Sequence, residues 1–215
     1  MYTKKLSEHL QTGEFSDITI VCGDVQIKAH KVVLSVGSAF FRAMLSTKNG
    51  FKESTAPVIV LDEDPAILQA MVKYIYSTAY PVLHDANELL KHAKVYIVAR
   101  YYQISGLQKT ARRNFAMTLK HHMDMAKEEA QQDYVDAVRF IYDHVAENRN
   151  GVKEEVLIYA AENGPVLRHS RAFMQLMCES PFARDVYIYL FEAREWDAAA
   201  RRRLQEEVDQ LTQQQ

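Results

Sequence analysis

Phe15–Tyr76 sets the architecture of the chain and reads FSDITIVCGDVQIKAHKVVLSVGSAFFRAMLSTKNGFKESTAPVIVLDEDPAILQAMVKYIY. Ile18–Cys22 carries an apolar residue at every second position, which is the period of a half-buried β-strand. Val25–Lys28 repeats this pattern after Gly23 and Asp24, and glycine tolerates the positive φ that a two-residue turn requires. The sequence therefore predicts a β-hairpin at the start of this stretch.

The rest of the stretch combines short helices with one more strand. Apolar clusters at Val32–Leu34 and Phe40–Leu45 predict two short helices, and Val58–Val60 predicts a third strand. Asp64 is suited to cap the next helix, and Pro65 to occupy its first position. This order predicts an α+β unit whose helices group beside a small sheet of three or four strands within residues 17–83.

This order and several of its residues resemble the BTB/POZ domain. The matching segments are Ser16–Ile18, Ala29–Leu34, Ser38–Leu45 and Leu68–Ser77. The resemblance covers roughly the first half of the chain and implies a protein-interaction module, not an enzyme. Domains of this family often carry a further strand, for which Tyr80–Leu83 is the candidate, and Pro81 would restrict it to a sheet edge.

Beyond residue 84 every pattern is helical. We expect helices at Leu89–Tyr102, from Leu107 to about Leu119, at Tyr134–Val145 and at Val152–Glu162, with later helices beginning at Ser170 and Ser180. Asn87 is placed to cap the first of these helices, and Asn150–Gly151 and Asn163–Pro165 are predicted to end the third and fourth. Val186–Phe191 is predicted to be a buried helical segment.

These patterns predict a predominantly helical α+β chain, in which a BTB/POZ fold with a small sheet flanked by helices precedes an all-helical region. We expect the BTB/POZ domain, including its N-terminal helix, at residues 1–119 and a helical C-terminal region at residues 120–195. A charged, glutamine-ending helical tail would occupy residues 196–215. This arrangement resembles short fungal BTB-domain-containing proteins with a helical C-terminal region.

The composition is that of a folded globular protein without a strong electrostatic preference. Apolar residues make up 48% of the 215 residues, charged residues make up 25%, and the net charge is −2. This balance gives no indication of a nucleic-acid partner. Cys22 and Cys178 are too few for a disulfide framework. Without a recognisable secretion signal or membrane-length apolar run, we expect a soluble protein of the cytoplasm, the nucleus or both.

Patterns typical of catalysis are missing from the sequence. There is no phosphate-binding glycine loop and no nucleophile elbow, so we expect no enzyme activity, cofactor or small-molecule substrate. His121 and His122 near Asp124 form the most metal-like cluster, but adjacent histidines cannot share a helix face, and a hinge between helical regions is favoured. We therefore expect no metal site.

Other polar and aromatic residues receive structural predictions. His30 lacks a second ligand at metal spacing and is expected to be a hydrogen-bonded structural histidine. Asp17 and Lys31 are expected to have solvated or capping roles. The tyrosines at positions 74, 76, 80, 96, 101 and 102 are predicted to pack in or at the edge of the core.

Phe51, Lys52 and Glu53 form the most specific candidate site, in the loop before the third strand. BTB adaptors of cullin-RING ubiquitin ligases often carry a hydrophobic-X-Glu sequence at this place. The resemblance implies that Phe51 docks in an apolar pocket of a cullin and that Glu53 orders the loop or meets a basic neighbour. The alternative is that Phe51 packs on its own domain.

Leu6 and Leu10 are spaced as neighbours on one face of a short helix that Gly13 would end. In BTB domains such a leading helix often packs across a homodimer partner. The resemblance therefore implies a dimer interface containing Leu6, Leu10 and Phe15. A helix folded back on its own domain is the alternative, and the residues leave both open.

Two functions remain open from the sequence. The first is an adaptor that links a partner protein to a cullin-RING ubiquitin ligase. The second is a self-associating BTB scaffold or regulatory protein with no role in ubiquitination. The sequence contains no recognisable kelch repeat, zinc finger or other substrate reader, so a target would have to bind the helical half or the BTB surface.

Overall fold

The computed structural model describes residues 2–80, 87–122, 127–146 and 151–193, which lie in two compact units, residues 1–123 and residues 124–215. The first unit contains α1 (Tyr2–Thr12), β1 (Ile18–Cys22), β2 (Val25–Ala29), α2 (Lys31–Gly37), α3 (Ala39–Leu45), β3 (Val58–Val60), α4 (Pro65–Ser77), α5 (Glu88–Tyr101) and α6 (Ser105–Met117). It also contains 3-10 turns at Thr47–Asn49 and Lys52–Ser54 and a π-helical turn at Thr118–His122. The second unit contains α7 (Glu128–His144), α8 (Val152–Leu167), α9 (Arg171–Glu179) and α10 (182–193).

β1 is the central strand of a three-stranded sheet with the order β2-β1-β3. It pairs antiparallel with β2, where Cys22 lies opposite Val25, and parallel with β3, where Ile20 lies opposite Ile59. Gly23 has a φ of 53°, as the tight turn between β1 and β2 requires. The predicted hairpin and third strand are confirmed.

The first unit packs around α4, which contacts α1, α2 and α5, while α5 packs against α6. The large side chains that are fully buried here include Ile20, Leu34, Phe41, Leu68, Met71, Tyr76, Leu89, Leu107 and Phe115. At the start of α4, an Asp64 carboxylate oxygen accepts a hydrogen bond from the Ala66 N–H at 3.0 Å, and Pro65 occupies the first turn. The predicted cap of α4 is confirmed.

The second unit packs around α7, which contacts α8 and α9. The buried Tyr134 hydroxyl of α7 donates a hydrogen bond to the Val156 carbonyl of α8 at 2.8 Å. The Ser170 side chain accepts from the Phe173 N–H, so Ser170 caps α9 as predicted. The Phe182 N–H donates to the Ser180 hydroxyl at 3.2 Å, at the predicted start of α10.

The predicted ends of the helices in the second unit are wrong in two places. α8 continues through Asn163–Pro165 to Leu167, although Pro165 has no N–H to donate inside a helix. Leu167 is 1% exposed, and burying a leucine contributes about 1.5–3 kcal/mol, which favours keeping the last turn helical. α7 ends at His144, and Gly151, with a φ of 69°, instead precedes α8.

The dense apolar run near the C-terminal end of α10 is not buried throughout, contrary to prediction. Val186 is 6% exposed, whereas Tyr187, Leu190 and Phe191 are 69%, 41% and 53% exposed. Consecutive helical residues point in different directions, so an unbroken apolar run cannot lie entirely on one buried face.

Two smaller predictions also fail in the first unit. Asn87 precedes α5 in the left-handed conformation, with a φ of 66°, and its side chain accepts no capping hydrogen bond. Tyr101 is 60% exposed, while the adjacent Tyr102 is 2% exposed. Tyr101 is the last residue of α5 and Tyr102 follows it, and their side chains point in different directions, so only Tyr102 reaches the core.

Several predictions lie partly or wholly outside the described residues. Tyr80 is not in a strand, and the rest of the candidate edge strand at Tyr80–Leu83 is outside them, as is the tail at residues 196–215. The domain limits at residues 119 and 195 remain predictions. In the part of the chain that the structure describes, no helix is long and apolar enough to cross a membrane.

Candidate functional site

The loop between α3 and β3 carries the predicted partner-binding residues. Gly50 adopts the left-handed conformation with a φ of 70°, and Phe51 follows in an extended conformation. Lys52–Ser54 then forms a 3-10 turn that packs against α3. The Phe51 side chain is 51% exposed, so half of its apolar surface is available for contact.

Ser54 and Lys31 hold this loop to the domain. The Ser54 hydroxyl donates to the Phe51 carbonyl at 2.7 Å, and the Ser54 N–H donates to the same carbonyl at 3.1 Å. The Lys31 ammonium group donates to the Ser54 carbonyl at 2.8 Å. The Lys31 N–H donates to an Asp17 carboxylate oxygen at 2.7 Å, so Asp17 caps α2, in line with its predicted role.

Lys52 and Glu53 contribute charge beside Phe51. Lys52 is exposed and Glu53 is partly exposed. Among the described residues, neither side chain forms a hydrogen bond or ion pair with the protein, so neither holds the loop; Lys31 and Ser54 do so, together with the Asn49 side chain, which donates to the Ala43 carbonyl. Lys31 and Ser54 are 23 positions apart and share no local motif, so nothing in the sequence links them.

α1 packs against α4 and β2 of its own domain, and Leu6 and Leu10 are partly exposed. Phe15, in the connection to β1, is 76% exposed and has a φ of 63°. A positive φ is strained for a bulky residue, and such strain persists only where surrounding contacts hold it. One contact is the His9 ring, which meets the Phe15 ring edge-on at 5.5 Å.

His30 and Tyr76 tie this N-terminal connection to the core. The Tyr76 hydroxyl lies 2.8 Å from both the His30 backbone nitrogen and His30 Nδ1, and His30 Nε2 lies 2.8 Å from the Glu14 carbonyl. Burial raises the pKa of Tyr76 to about 12, so its hydroxyl stays protonated at neutral pH. His30 is a hydrogen-bonded structural histidine, as predicted.

A part-buried polar contact also underlies the aromatic cluster of α3 and α5. The Tyr102 hydroxyl donates to a Glu63 carboxylate oxygen at 3.2 Å, and the Tyr102 ring stacks on Phe41 at 5.3 Å. Burial raises the pKa of Glu63, and the hydrogen bond from Tyr102 partly opposes that rise. Phe40 and Tyr101 pack at the outer side of this cluster, with ring centroids 5.3 Å apart.

Metal-ligating chemistry is not assembled in the part of the chain that the structure describes. Within those residues no group of three or more His, Cys, Asp or Glu side chains is arranged to hold a metal ion. His121 and His122 end the π-helical turn, while Asp124 lies outside the described residues. Cys22 is buried, and its thiol donates to the Glu63 carbonyl at 2.9 Å.

Known proteins resemble the first half of the chain. A family model described as BTB/POZ domain matches residues 6–118. Kelch-like protein 41b of Danio rerio is 27% identical over 103 residues, covering 47% of this chain and 16% of that protein. Kelch repeat and BTB domain-containing protein 4 of Mus musculus is 32% identical over 112 residues, covering 52% of this chain and 20% of that protein.

A solved structure with the same kind of domain is also similar. The BTB domain of zebrafish PATZ1 superposes with a TM-score of 0.44 at 16% identity, covering 52% of this chain and 86% of that chain. The chain spans a fifth or less of the length of the two curated relatives above.

The first unit is a small sheet beside a cluster of helices, and its α3–β3 loop leaves the apolar Phe51 half exposed. The chain belongs to the BTB/POZ domain family, whose model matches more than half of its residues. The predicted family and the α+β fold followed by a helical region are confirmed. Kinship with short fungal proteins remains a prediction.

Proposed function

We propose that the protein is a BTB adaptor that binds a cullin through the loop containing Phe51, Lys52 and Glu53. The exposed half of the Phe51 ring supports this proposal, because a partly exposed aromatic residue on an ordered loop can enter a partner's pocket. The contacts of Ser54 and Lys31 support it further. A loop that is already ordered loses less conformational entropy on binding.

Phe51 would supply most of the binding free energy at this loop. Truncating an apolar anchor in a desolvated pocket typically costs about 2 kcal/mol or more, whereas removing a charge at the rim costs little. Phe51→Ala should therefore weaken binding to a cullin N-terminal region by roughly thirtyfold, since each 1.4 kcal/mol is a factor of ten. Lys52→Ala is the matched control and should change the affinity only slightly.

Isothermal titration of the full chain with the cullin N-terminal region measures these affinities. Thermal unfolding of each variant shows whether the fold is retained. No detectable binding by the wild-type chain would remove the adaptor function. Binding that survives Phe51→Ala would keep the adaptor but assign the contact to another surface.

The second candidate function is a self-associating scaffold, which Phe15 favours. A strained backbone that holds an aromatic ring 76% exposed is more easily explained if a second copy covers that ring. Leu6 and Leu10 on α1 would extend the same interface. An isologous two-fold contact is the commonest arrangement of such homodimers.

Phe15→Gly separates a role in the interface from a role in folding. Glycine adopts a positive φ without strain, and this relief offsets the larger conformational entropy that glycine loses on folding, so this variant should be about as stable as the wild type while lacking the exposed ring. Light scattering at about tens of micromolar should show a wild-type dimer and a variant shifted toward monomer. A monomeric wild type at that concentration would contradict the scaffold proposal.

The helical region after the BTB/POZ domain would hold the second partner in either function. We take its limits as residues 120–195. Tyr187 and Phe191 on α10 are exposed, and their rings stack with centroids 6.4 Å apart. This surface would be the first to mutate once a partner is identified.

A further inference from the structure

A groove bordered by α1, β2 and α4, with a volume of about 720 Å³, opens on the first unit. Leu10, Val25, Ile27 and Val72 give it an apolar lining, and Lys28 and Lys73 stand beside them. We call this feature the β2 groove. Its volume lies within the usual range of about 300–1,000 Å³ for ligand pockets.

Within the described ranges, no strand pairs with the edge of β2 that faces away from β1. The Thr19 N–H donates to the Pro57 carbonyl and the Val21 carbonyl accepts from the Leu61 N–H, so these residues of β1 face β3. The backbone N–H and carbonyl groups of Ile18, Ile20 and Cys22 therefore point toward β2. On β2, the residues opposite Thr19 and Val21 point their own N–H and carbonyl groups away from β1. These residues are Lys28 and Gln26.

No hydrogen bond to the outward N–H and carbonyl groups of Gln26 and Lys28 occurs among the described residues. An edge strand with such groups is a template for an added strand, and main-chain bonds of this kind provide the affinity in β-augmentation. The partly buried Val25 and Ile27 alternate with them along β2. An added peptide would therefore pair with the backbone of β2 beside an apolar lining.

The charge of the β2 groove indicates what kind of peptide it accepts. Lys28 and Lys73 are exposed and have no carboxylate partner among the described residues, and no acidic side chain appears among the described residues that line the groove. The Lys28 stem lies against Gly13, where an added Cβ would be 2.7 Å from its Cδ. The groove thus presents two cations beside an apolar strip.

We propose that the β2 groove binds an extended acidic segment of a partner protein, which adds a strand to the edge of β2. Apolar side chains of the segment would contact Ile27 and Val72, and its carboxylates would approach Lys28 and Lys73. This proposal is independent of cullin binding through Phe51. A partner could use either surface alone.

The probe is a short fluorescent peptide in which valine alternates with glutamate, and its binding to the full chain is followed by fluorescence anisotropy. We expect saturable binding that weakens by roughly tenfold or more in the Lys28→Glu, Lys73→Glu variant, because like charges now face each other. That variant should instead bind a matched peptide in which lysine replaces glutamate. A Lys48→Glu, Lys109→Glu variant has the same change in net charge at exposed positions outside the groove and should bind the acidic peptide nearly as well as wild type.

Gln26→Pro tests the backbone contact separately from the charges. Proline removes an N–H that points away from β1, and proline is tolerated on edge strands. We expect weaker peptide binding with unchanged thermal unfolding; if Gln26→Pro unfolds the chain, the charge-reversal pair decides the question alone. Equal binding by the Lys28→Glu, Lys73→Glu and Lys48→Glu, Lys109→Glu variants would overturn the proposal. A wild-type dimer that only the groove variant converts to monomer would also overturn it, because the groove would then belong to a contact between copies.

Discussion

Replacing Tyr76 with phenylalanine tests how the N-terminal connection is held to the first unit. The Glu14 carbonyl can only accept, so His30 Nε2 carries the ring proton and Nδ1 is an acceptor. The Tyr76 hydroxyl therefore donates to Nδ1 while it accepts from the His30 backbone N–H, each at 2.8 Å. Tyr76→Phe removes one oxygen atom and leaves two buried polar groups of His30 without a partner.

The expected cost follows from those two groups. A buried donor or acceptor left unpaired costs about 1–3 kcal/mol, so leaving both groups unpaired should lower the free energy of opening by about 2–6 kcal/mol. The phenyl ring is kept, so the loss of packing is small. Tyr96→Phe is the matched control, because Tyr96 is 7% exposed and its hydroxyl has no hydrogen bond among the described residues. That change should stay within about 0.5 kcal/mol.

Hydrogen exchange of the full chain, followed by mass spectrometry, measures the free energy of local opening segment by segment. A local measurement is preferable because a chain with two compact units need not unfold in a single transition. A loss of 2.8 kcal/mol corresponds to about a hundredfold faster exchange through the affected opening. We expect this acceleration in peptides from the connection between α1 and β1, which contains Glu14 and Phe15. The reasoning is refuted if Tyr76→Phe and Tyr96→Phe exchange alike.

Two further substitutions test a helix start and a helix end. Burial would raise the pKa of Asp64, but hydrogen bonds from Lys94 and the Ala66 N–H together lower it below 3.8. The ionised Asp64 carboxylate therefore stabilises the fold above pH 3.8, and this stabilisation is lost as the pH falls through the lowered pKa of the folded state. Asp64→Asn should lower the free energy of unfolding by less than about 1 kcal/mol at neutral pH and leave it unchanged in acid. A loss that urea titrations show to be the same at every pH would contradict this. Pro165→Ala should stabilise the second unit by about 1 kcal/mol or more, because the alanine has a backbone N–H that can donate to the Ala161 carbonyl. An unchanged or lower melting temperature would contradict this.

Local chemistry predicted the elements whose ends are set by neighbouring residues. The hairpin turn at Gly23, the cap of α4 at Asp64 and the cap of α9 at Ser170 all depend on residues within a few positions. The end of α8 was not predictable in this way. Asn163–Pro165 is a strong local stop, but the burial of Leu167 is a tertiary contact that no local pattern contains.

In the candidate site too, the sequence predicted the local features and not the tertiary contacts. Sequence placed Phe51 in a loop and Phe15 before a strand, and both are exposed. It could not show that Lys31 bonds the Ser54 carbonyl, because that contact depends on how α2 lies against the loop. The β2 groove was likewise not anticipated, since it exists only where α1, β2 and α4 meet.

His30 and Lys31 are adjacent in sequence and hold two different surfaces. His30 bonds the Glu14 carbonyl, next to the exposed Phe15, while Lys31 bonds the Ser54 carbonyl of the loop that carries Phe51. The first hydrogen bond uses the His30 ring and the second uses the Lys31 ammonium group, so one can be lost while the other is kept. Tyr76→Phe removes partners of His30 alone and should loosen the connection around Phe15 while exchange in the Phe51 loop stays unchanged. If both regions exchanged faster, the start of α2 would be one cooperative element, and any partner bound at one surface would then affect the other.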